Sequence, residues 1–188
     1  MDVKIVIKLV IIGAESTGKT TFITSIINGL GSINFENYVS TEGASYVSKN
    51  VIYNNKVYKI EIWDTAGKER YKALLKIFFK DANMIFIFFD YNNKDSFEYA
   101  KSLYDYVKAQ SNLDNLVCVF VGNKYNLDKN WVETDNIVHE EEILEYVEEK
   151  NIIFVHLSIK EKYSDGINEL FKKSIDEYMK KTKIHKYE

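Results

Sequence analysis

The residues with the clearest chemistry lie near the N-terminus, in the segment GAESTGKT at positions 13–20. This segment matches the pattern G-x-x-x-x-G-K-[ST] in full and stands between a strand-like segment, Val3 to Ile12, and a helix-like segment, Thr21 to Ile27. Glycines in such a loop let backbone N–H groups turn inward and cradle phosphate oxygens at the N-terminus of a helix. Lys19 would then reach the β- and γ-phosphates, and the hydroxyl of Thr20 would bind Mg²⁺. The segment therefore predicts a nucleotide site.

The residues predicted to line the phosphates are Gly13, Glu15, Ser16, Thr17, Gly18, Lys19, Thr20 and Thr21. The alternative is a glycine-rich turn that binds no ligand. The order of strand, loop and helix makes that alternative the weaker one, because it is the structural context that the pattern requires.

The composition is typical of one soluble globular domain. The chain has 188 residues, of which 46% are hydrophobic and 28% charged, so it is large enough for one substantial core. We expect a single domain over residues 1–188, with a core from about 4 to 181 and a short C-terminal tail. The net charge of −3 gives no general reason to expect nucleic acid as a partner. The single cysteine, Cys118, fits a reducing compartment.

Strand-like and helix-like segments alternate along the chain. The strand candidates are Val3–Ile12, Ala44–Tyr53, Val57–Asp64, Met84–Asp90, Leu116–Gly122 and Ile152–Leu157. The helix candidates are Lys19–Asn28, Tyr71–Lys80, Ser96–Gln110, Val138–Lys150 and Ile167–Lys181. With the phosphate loop after the first strand, this order predicts a doubly wound α/β fold of the P-loop type. We expect a six-stranded, mostly parallel sheet with one antiparallel strand and about five helices, with ligands beyond the carboxyl ends of the strands.

Three further segments, each at the carboxyl end of an expected strand, narrow the kind of nucleotide site. The first is WDTAGKER at 63–70, where Asp64 would face Mg²⁺ through water and Gly67 would bring its backbone N–H to a γ-phosphate. The second is NKYN at 123–126 and the third is SIK at 158–160. Because the carboxyl ends of parallel strands meet at one edge of a sheet, we expect these segments to complete one site.

With these segments in order, the chain resembles the small GTPases of the Ras superfamily, and within them the Rab family. STEGASY at 40–46 resembles the Rab switch I motif S-T-I-G-x-x-F. EIWDTAGKERY at 61–71 resembles the switch II motif E-I-W-D-T-A-G-Q-E-R-Y, in the form found in endosomal members. The resemblance covers nearly the whole chain. It implies a Mg²⁺-dependent GTP/GDP switch in vesicle trafficking, with effectors, an exchange factor and an activating protein as partners.

The resemblance also implies roles for single residues. Thr41 would bind Mg²⁺ and the γ-phosphate through its hydroxyl and backbone N–H. The residues that it places at the base are Phe35 (or, alternatively, Tyr38), Asn123, Lys124, Asn126, Ser158, Ile159 and Lys160. Tyr46, Trp63 and Phe78 fall where Rab proteins keep an aromatic triad that effectors contact, although ordinary core packing explains such aromatic residues equally well.

Lys68 departs from the family pattern at the position of the catalytic Gln. A glutamine can both accept from the attacking water and donate to the γ-phosphate, whereas an ammonium only donates. We expect slow hydrolysis, because positioning and charge stabilisation are nearly all the catalysis of such a site. The implied catalytic residues are Thr41, Gly67 and an impaired Lys68, so we expect a weak GTPase.

Asn126 and Glu15 are further departures. Asn126 replaces the Asp that accepts two hydrogen bonds from guanine, at a cost on the order of 2–4 kcal/mol, and an Asn suits xanthine better. Glu15 lies in the phosphate loop, where a carboxylate would repel phosphate or compete for an arginine of an activating protein. The alternative for Glu15 is a rotamer that faces solvent.

These features favour a Rab-like GTP-binding protein with slow intrinsic hydrolysis. The alternative from another class is a pseudo-GTPase, a non-catalytic scaffold with weakened or altered nucleotide specificity. A small-molecule kinase is disfavoured, because its lid would need several arginines and Arg70 is the only arginine in the sequence. The chain ends in IHKYE with no cysteine to be prenylated. We therefore expect a cytoplasmic protein. It would be peripheral on endomembranes only through a partner or if a lipidated tail is missing from this chain, and otherwise it would not be membrane-bound.

Overall fold

A computed structural model of the protein describes residues 5–27, 35–41, 44–65, 72–110, 115–124, 136–157 and 163–182. The strands are β1 (Ile5–Gly13), β2 (Phe35–Thr41), β3 (Ala44–Tyr53), β4 (Lys56–Asp64), β5 (Met84–Asp90), β6 (Val117–Asn123) and β7 (Ile153–His156). The helices are α1 (Lys19–Ile27), α2 (Lys72–Phe79), α3 (Lys94–Gln110), α4 (Glu140–Glu149) and α5 (Tyr163–Thr182). The described helices fall close to the five that the sequence predicts.

The strands form one sheet in the order β2-β3-β4-β1-β5-β6-β7. β1 is parallel to both β4 and β5, whereas β3 runs antiparallel to its two neighbours. The predicted fold class, a doubly wound α/β sheet with one antiparallel strand, is confirmed. The described sheet has seven strands rather than six, because β2 pairs with β3 at the edge. The sequence of β2, FENYVST, lacks the apolar run or regular alternation that would have predicted it.

The hairpin between β3 and β4 turns at two asparagines. Asn54 and Asn55 both adopt positive φ, 49° and 59°, between the paired residues Tyr53 and Lys56. Two residues of positive φ give a turn whose twist matches that of the flanking strands, and Asn tolerates this backbone better than most residues.

Two apolar layers cover the faces of the sheet. On one face, α1 and α5 pack against alternate strand residues such as Leu9 and Phe86. On the other face, α2, α3 and α4 pack against the intervening residues, such as Val10 and Ile85. Every residue of β5 is buried, which explains its continuous apolar run. Among the described helices, none is long and apolar enough to cross a membrane.

Candidate nucleotide-binding site

The phosphate loop needs its two glycines because other groups approach them closely. Gly13 and Gly18 have φ values of +147° and +93°, a backbone that residues with a Cβ rarely adopt. A Cβ on Gly13 would lie 2.3 Å from the carbonyl O of Phe88, and one on Gly18 would lie 2.0 Å from Nδ2 of Asn123. The loop is therefore packed against the carboxyl ends of β5 and β6.

The Lys19 side chain lies within the phosphate loop and is hydrogen-bonded to its backbone. Its side chain is buried, and Nζ donates to the carbonyl oxygens of Gly13 (2.7 Å) and Ala14 (2.8 Å). The hydroxyl of Thr17 also donates to the Ala14 carbonyl, at 2.9 Å. These bonds hold the loop between β1 and α1 in a curved path with an ammonium at its centre, an arrangement suited to an anionic ligand. The exposed residues of the loop and of the first turn of α1 are Glu15, Ser16, Thr20 and Thr21.

Asn123 joins the phosphate loop to the end of β6. Its side chain is fully buried, and its Nδ2 donates to the carbonyl O of Thr17 at 2.7 Å. Within the described part of the chain, Oδ1 of Asn123 is a buried acceptor without a hydrogen-bond partner. Because buried acceptors are nearly always paired, this oxygen indicates a site that a further group completes.

Lys124 is held by Asp90, a residue that the sequence did not single out. Lys124 Nζ lies 2.6 Å from Oδ2 of Asp90, while Oδ1 accepts from the backbone N–H of Asn92 at 2.9 Å. Asp90 is 8% exposed and ends β5, and Lys124 has a positive φ of 58°. The sequence feature that could have identified Asp90 as a site residue is its position. Like Asp64, it is a carboxylate at the carboxyl end of a buried strand.

Asp64 lies where a magnesium ligand is expected. It ends β4 in register with Ile11 of β1, just before the phosphate loop, and is 4% exposed. The adjoining Thr65 is anchored by its hydroxyl, which donates to the Ile11 carbonyl at 2.8 Å. The carboxylate of Asp64 and the hydroxyl of Thr20 are hard oxygen donors of the kind that Mg²⁺ takes together with nucleotide phosphates. Among the described residues, no cluster of three or more His, Cys, Asp or Glu side chains could hold a metal by itself.

Several predicted site residues cannot be placed against this geometry. Those that lie outside the described residues are Gly67, Lys68, Asn126, Ser158, Ile159 and Lys160. Phe35 and Thr41 are the first and last residues of β2, and the structure describes their backbone. Their roles stay predictions.

The aromatic triad forms one contiguous group. The ring centroids of Tyr46 and Trp63 are 5.1 Å apart in an edge-on contact, and those of Trp63 and Phe78 are 6.4 Å apart. All three side chains are partly exposed. Desolvation, followed by a hydrogen bond with Glu61, raises the pKa of Tyr46. The group thus bridges β3, β4 and α2 at the surface and is not simply part of the core.

Comparison of the sequence with known proteins points to the same kind of protein as the site geometry does. Residues 8–180 match the Ras family. The Ras-related protein Rab-5A of Dictyostelium discoideum is 34% identical over 166 residues, which cover 87% of this chain and 76% of that protein. The chain belongs to the Rab family within the Ras superfamily.

Other relatives show the same relationship to this Rab-family chain. The Ras-related protein RHN1 of Nicotiana plumbaginifolia is 35% identical over 153 residues, 81% of this chain and 72% of its own length. The GTP-binding protein YPT52 of Saccharomyces cerevisiae is 29% identical in an alignment that covers 87% of this chain and 78% of its own length.

Proposed function

We propose that this chain binds guanine nucleotides and acts as a Rab-type GTP/GDP switch in intracellular vesicle trafficking. The observation that supports this most directly is the hydrogen bond from Asn123 Nδ2 to the Thr17 carbonyl. It joins the phosphate loop to the segment predicted to recognise the base. The phosphate end and the base end of a nucleotide would therefore contact two segments that are hydrogen-bonded to each other. We also propose that residues 1–188 form a single G domain with its core from about 4 to 181.

In this proposal the phosphates lie against the loop at the N-terminus of α1, where the backbone N–H groups and the Lys19 ammonium supply positive charge. Mg²⁺ would be held by the hydroxyls of Thr20 and Thr41 and, through water, by Asp64. When bound, the ion neutralises charge on the β- and γ-phosphate oxygens. The burial of Asp64 at the end of β4 and the exposure of Thr20 on α1 fit this donor set.

Hydrolysis is proposed to be slow. The backbone N–H groups of Thr41 and Gly67 would bind the γ-phosphate and stabilise charge there. Lys68 would add a positive charge but could not accept a hydrogen bond from the attacking water, and positioning of that water is a main source of rate in this chemistry. The chain would thus remain in its GTP state longer than a family member with Gln at this position.

The base is proposed to lie between β6 and the segment after β7. Phe35 would shield one side, and the stem of Lys124 would lie along the other. The ion pair with Asp90 restricts the Lys124 side chain, so less conformational entropy is lost when the base binds. Asn126 would leave one guanine donor poorly paired, which weakens guanine binding and favours xanthine in relative terms.

The partners are proposed to be an exchange factor, an activating protein and effectors that contact the switches and the triad Tyr46, Trp63 and Phe78. Aromatic side chains that are partly exposed and already packed together lose little entropy on binding, and such residues often dominate interface energies. Membrane association, if it occurs, would be peripheral and through a partner or a lipidated tail.

The competing function is a pseudo-GTPase scaffold. It is favoured by three residues taken together, Glu15, Lys68 and Asn126, because each weakens either phosphate binding, water positioning or base recognition. In that case the fold would serve protein contacts, and the phosphate loop would be a structural remnant.

Nucleotide content distinguishes the two functions. Purified protein would be denatured by heat, any released nucleotide identified by ion-pair chromatography, and the protein then titrated with GDP, GTP and XTP in the presence of Mg²⁺. Bound GDP or GTP supports the switch, and a protein that binds no nucleotide supports the scaffold. Asn126→Asp should raise guanine affinity by about 30-fold or more and lower XTP affinity. The matched control Asn136→Asp, an exposed position before α4, should change neither.

A further inference from the structure

Tyr91 and His156 form a side-chain contact beside the predicted base site. The hydroxyl of Tyr91, the residue after β5, lies 2.5 Å from Nδ1 of His156, the last residue of β7. The two rings are nearly parallel, with an interplanar angle of 11°. Tyr91 is 1% exposed, whereas His156 is partly exposed. β5 and β7 are not neighbours in the sheet, so this contact crosses the intervening strand β6.

Gly122 makes the crossing possible. It is paired with His156 on one side and with Phe89 on the other. A Cβ at Gly122 would lie 2.6 Å from Cε2 of Tyr91 and 3.0 Å from Cζ of Phe89, so a side chain at this position would displace the Tyr91 ring. The absence of a side chain at Gly122 therefore leaves room at the end of β6 for the Tyr91 ring, which extends from β5 to β7.

The backbone around this contact leads directly to the site. The N–H of Tyr91 donates to the carbonyl O of Asn123 at 3.1 Å, and the N–H of Leu157 donates to the carbonyl O of Gly122 at 2.7 Å. Asn123 in turn donates from its side chain to Thr17 in the phosphate loop. Leu157 is followed in the chain by the segment predicted to hold the rim of the guanine. A change in the contact between Tyr91 and His156 would thus reach both base-binding segments.

The hydrogen-bond partners indicate which nitrogen of a neutral His156 carries the proton. Nε2 lies 3.3 Å from Oε1 of Glu140 on α4, so Nε2–H donates to that carboxylate. Nδ1 is then the acceptor for the Tyr91 hydroxyl, which is consistent with a neutral ring. Burial lowers the pKa of His156, while Glu140 and Glu169 raise it and Lys173 lowers it further. The net shift is downward, so the neutral ring predominates at pH 7.

Building on the proposed function, we infer that His156 is a positioning residue, held by Tyr91, that slows nucleotide release while its imidazole is neutral. On protonation, Nδ1 carries a hydrogen, so the Tyr91 hydroxyl can no longer donate to it. The bond must reverse, with Nδ1–H donating to the hydroxyl oxygen, and the hydroxyl hydrogen must turn elsewhere in a buried site. This loss of the favourable arrangement weakens the connection among the carboxyl ends of β5, β6 and β7. Nucleotide release should accelerate as the pH falls below 6.5, the ordinary pKa of histidine.

The test is the release rate of a fluorescent GDP from the full chain between about pH 5.5 and 8. Wild type should release it about three- to tenfold faster at the acidic end, the rate equivalent of one hydrogen bond. In His156→Asn, an amide oxygen can still accept from Tyr91 but does not titrate, so release should stay slow and nearly independent of pH. Tyr91→Phe should release quickly even at neutral pH. His139→Asn is the matched control, since His139 is exposed and precedes α4 without a side-chain cap bond in the described structure.

A second readout does not depend on nucleotide. Histidine NMR titration should show that Tyr91→Phe raises the pKa of His156, because the neutral ring loses the bond that the tyrosine donates. The inference is overturned if His156→Asn keeps the acid acceleration of wild type, or if Tyr91→Phe releases GDP at the wild-type rate and leaves that pKa unchanged. If His156→Asn does not fold, Tyr91→Phe alone decides. A wild type that takes up no GDP contradicts the proposed function together with this inference, whereas pH-independent release contradicts this inference alone.

Discussion

Gly18 and Asn123 depend on each other for their conformations. The Asn123 amide reaches the Thr17 carbonyl only because Gly18 has no side chain in its path. The positive φ of Gly18 adds a second requirement for glycine. The contact is thus a local reason, independent of any ligand, for the second glycine of the phosphate loop.

Gly18→Ala tests this dependence. The added methyl group would displace the Asn123 amide and strain the backbone, at a cost of about 1–3 kcal/mol in the free energy of unfolding. We expect GDP affinity to fall at least about tenfold, because both the loop and Asn123 shift. Thermal denaturation and a GDP titration measure the two effects. Unchanged affinity in a folded variant would show that the bond between Asn123 and Thr17 is not needed for binding.

Lys68→Gln tests the account of slow hydrolysis. The substitution supplies a group that accepts from water and donates to phosphate, so single-turnover GTP hydrolysis should rise at least about tenfold. Lys76→Gln is the matched control, because Lys76 is exposed on α2 and makes the same change of charge. An equal rate in wild type and Lys68→Gln would mean that another feature limits hydrolysis.

At the scale of elements, β3 packs an ionisable side chain against α5. Lys49 is 1% exposed, and its Nζ lies 5.4 Å from the centroid of the Phe171 ring. Desolvation lowers the pKa of Lys49 to about 8 from the usual 10.5. The aromatic face offsets part of that penalty, but a buried cation still opposes the packing of the sheet against the helix.

Lys49→Met should therefore stabilise the protein at neutral pH. The unfolded chain binds more protons than the folded one between about pH 8 and 10.5, so wild-type stability rises with pH in that window and carries the full penalty below it. We expect Lys49→Met to be more stable by about 1–3 kcal/mol at pH 7, with the difference shrinking toward pH 10. Chemical denaturation at several pH values measures this. Lys172→Met, at an exposed position of α5, should show no such trend, and a pH-independent difference at Lys49 would contradict the assignment.

The elements differ in how much of them the sequence could predict. β5 was predictable because burial on both faces demands a continuous apolar run, and the hairpin was predictable because Asn54 and Asn55 suit positive φ. β2 was not, since an edge strand needs only backbone pairing and its polar residues do not alternate regularly. β2 forms only by pairing with β3, which is a separate segment of the chain.

At the scale of the whole molecule, the phosphate loop could be predicted from one segment because a single turn contains all of its chemistry. The arrangement around the base could not. Asp90 and Lys124, like Tyr91 and His156, are far apart in sequence and meet only when parallel strands bring their carboxyl ends to one edge. No local pattern records such pairs, so they become visible only in the folded chain.

The most direct measurement of the central claim is an equilibrium titration of GDP with Mg²⁺ against the nucleotide-free protein and against Lys19→Ala. We expect wild type to bind at micromolar concentration or below, and Lys19→Ala to bind at least about tenfold more weakly, because the loop loses both its internal hydrogen bonds and its charge. Circular dichroism of the variant would establish that it remains folded. A wild type that does not bind GDP, GTP or XTP would contradict the account.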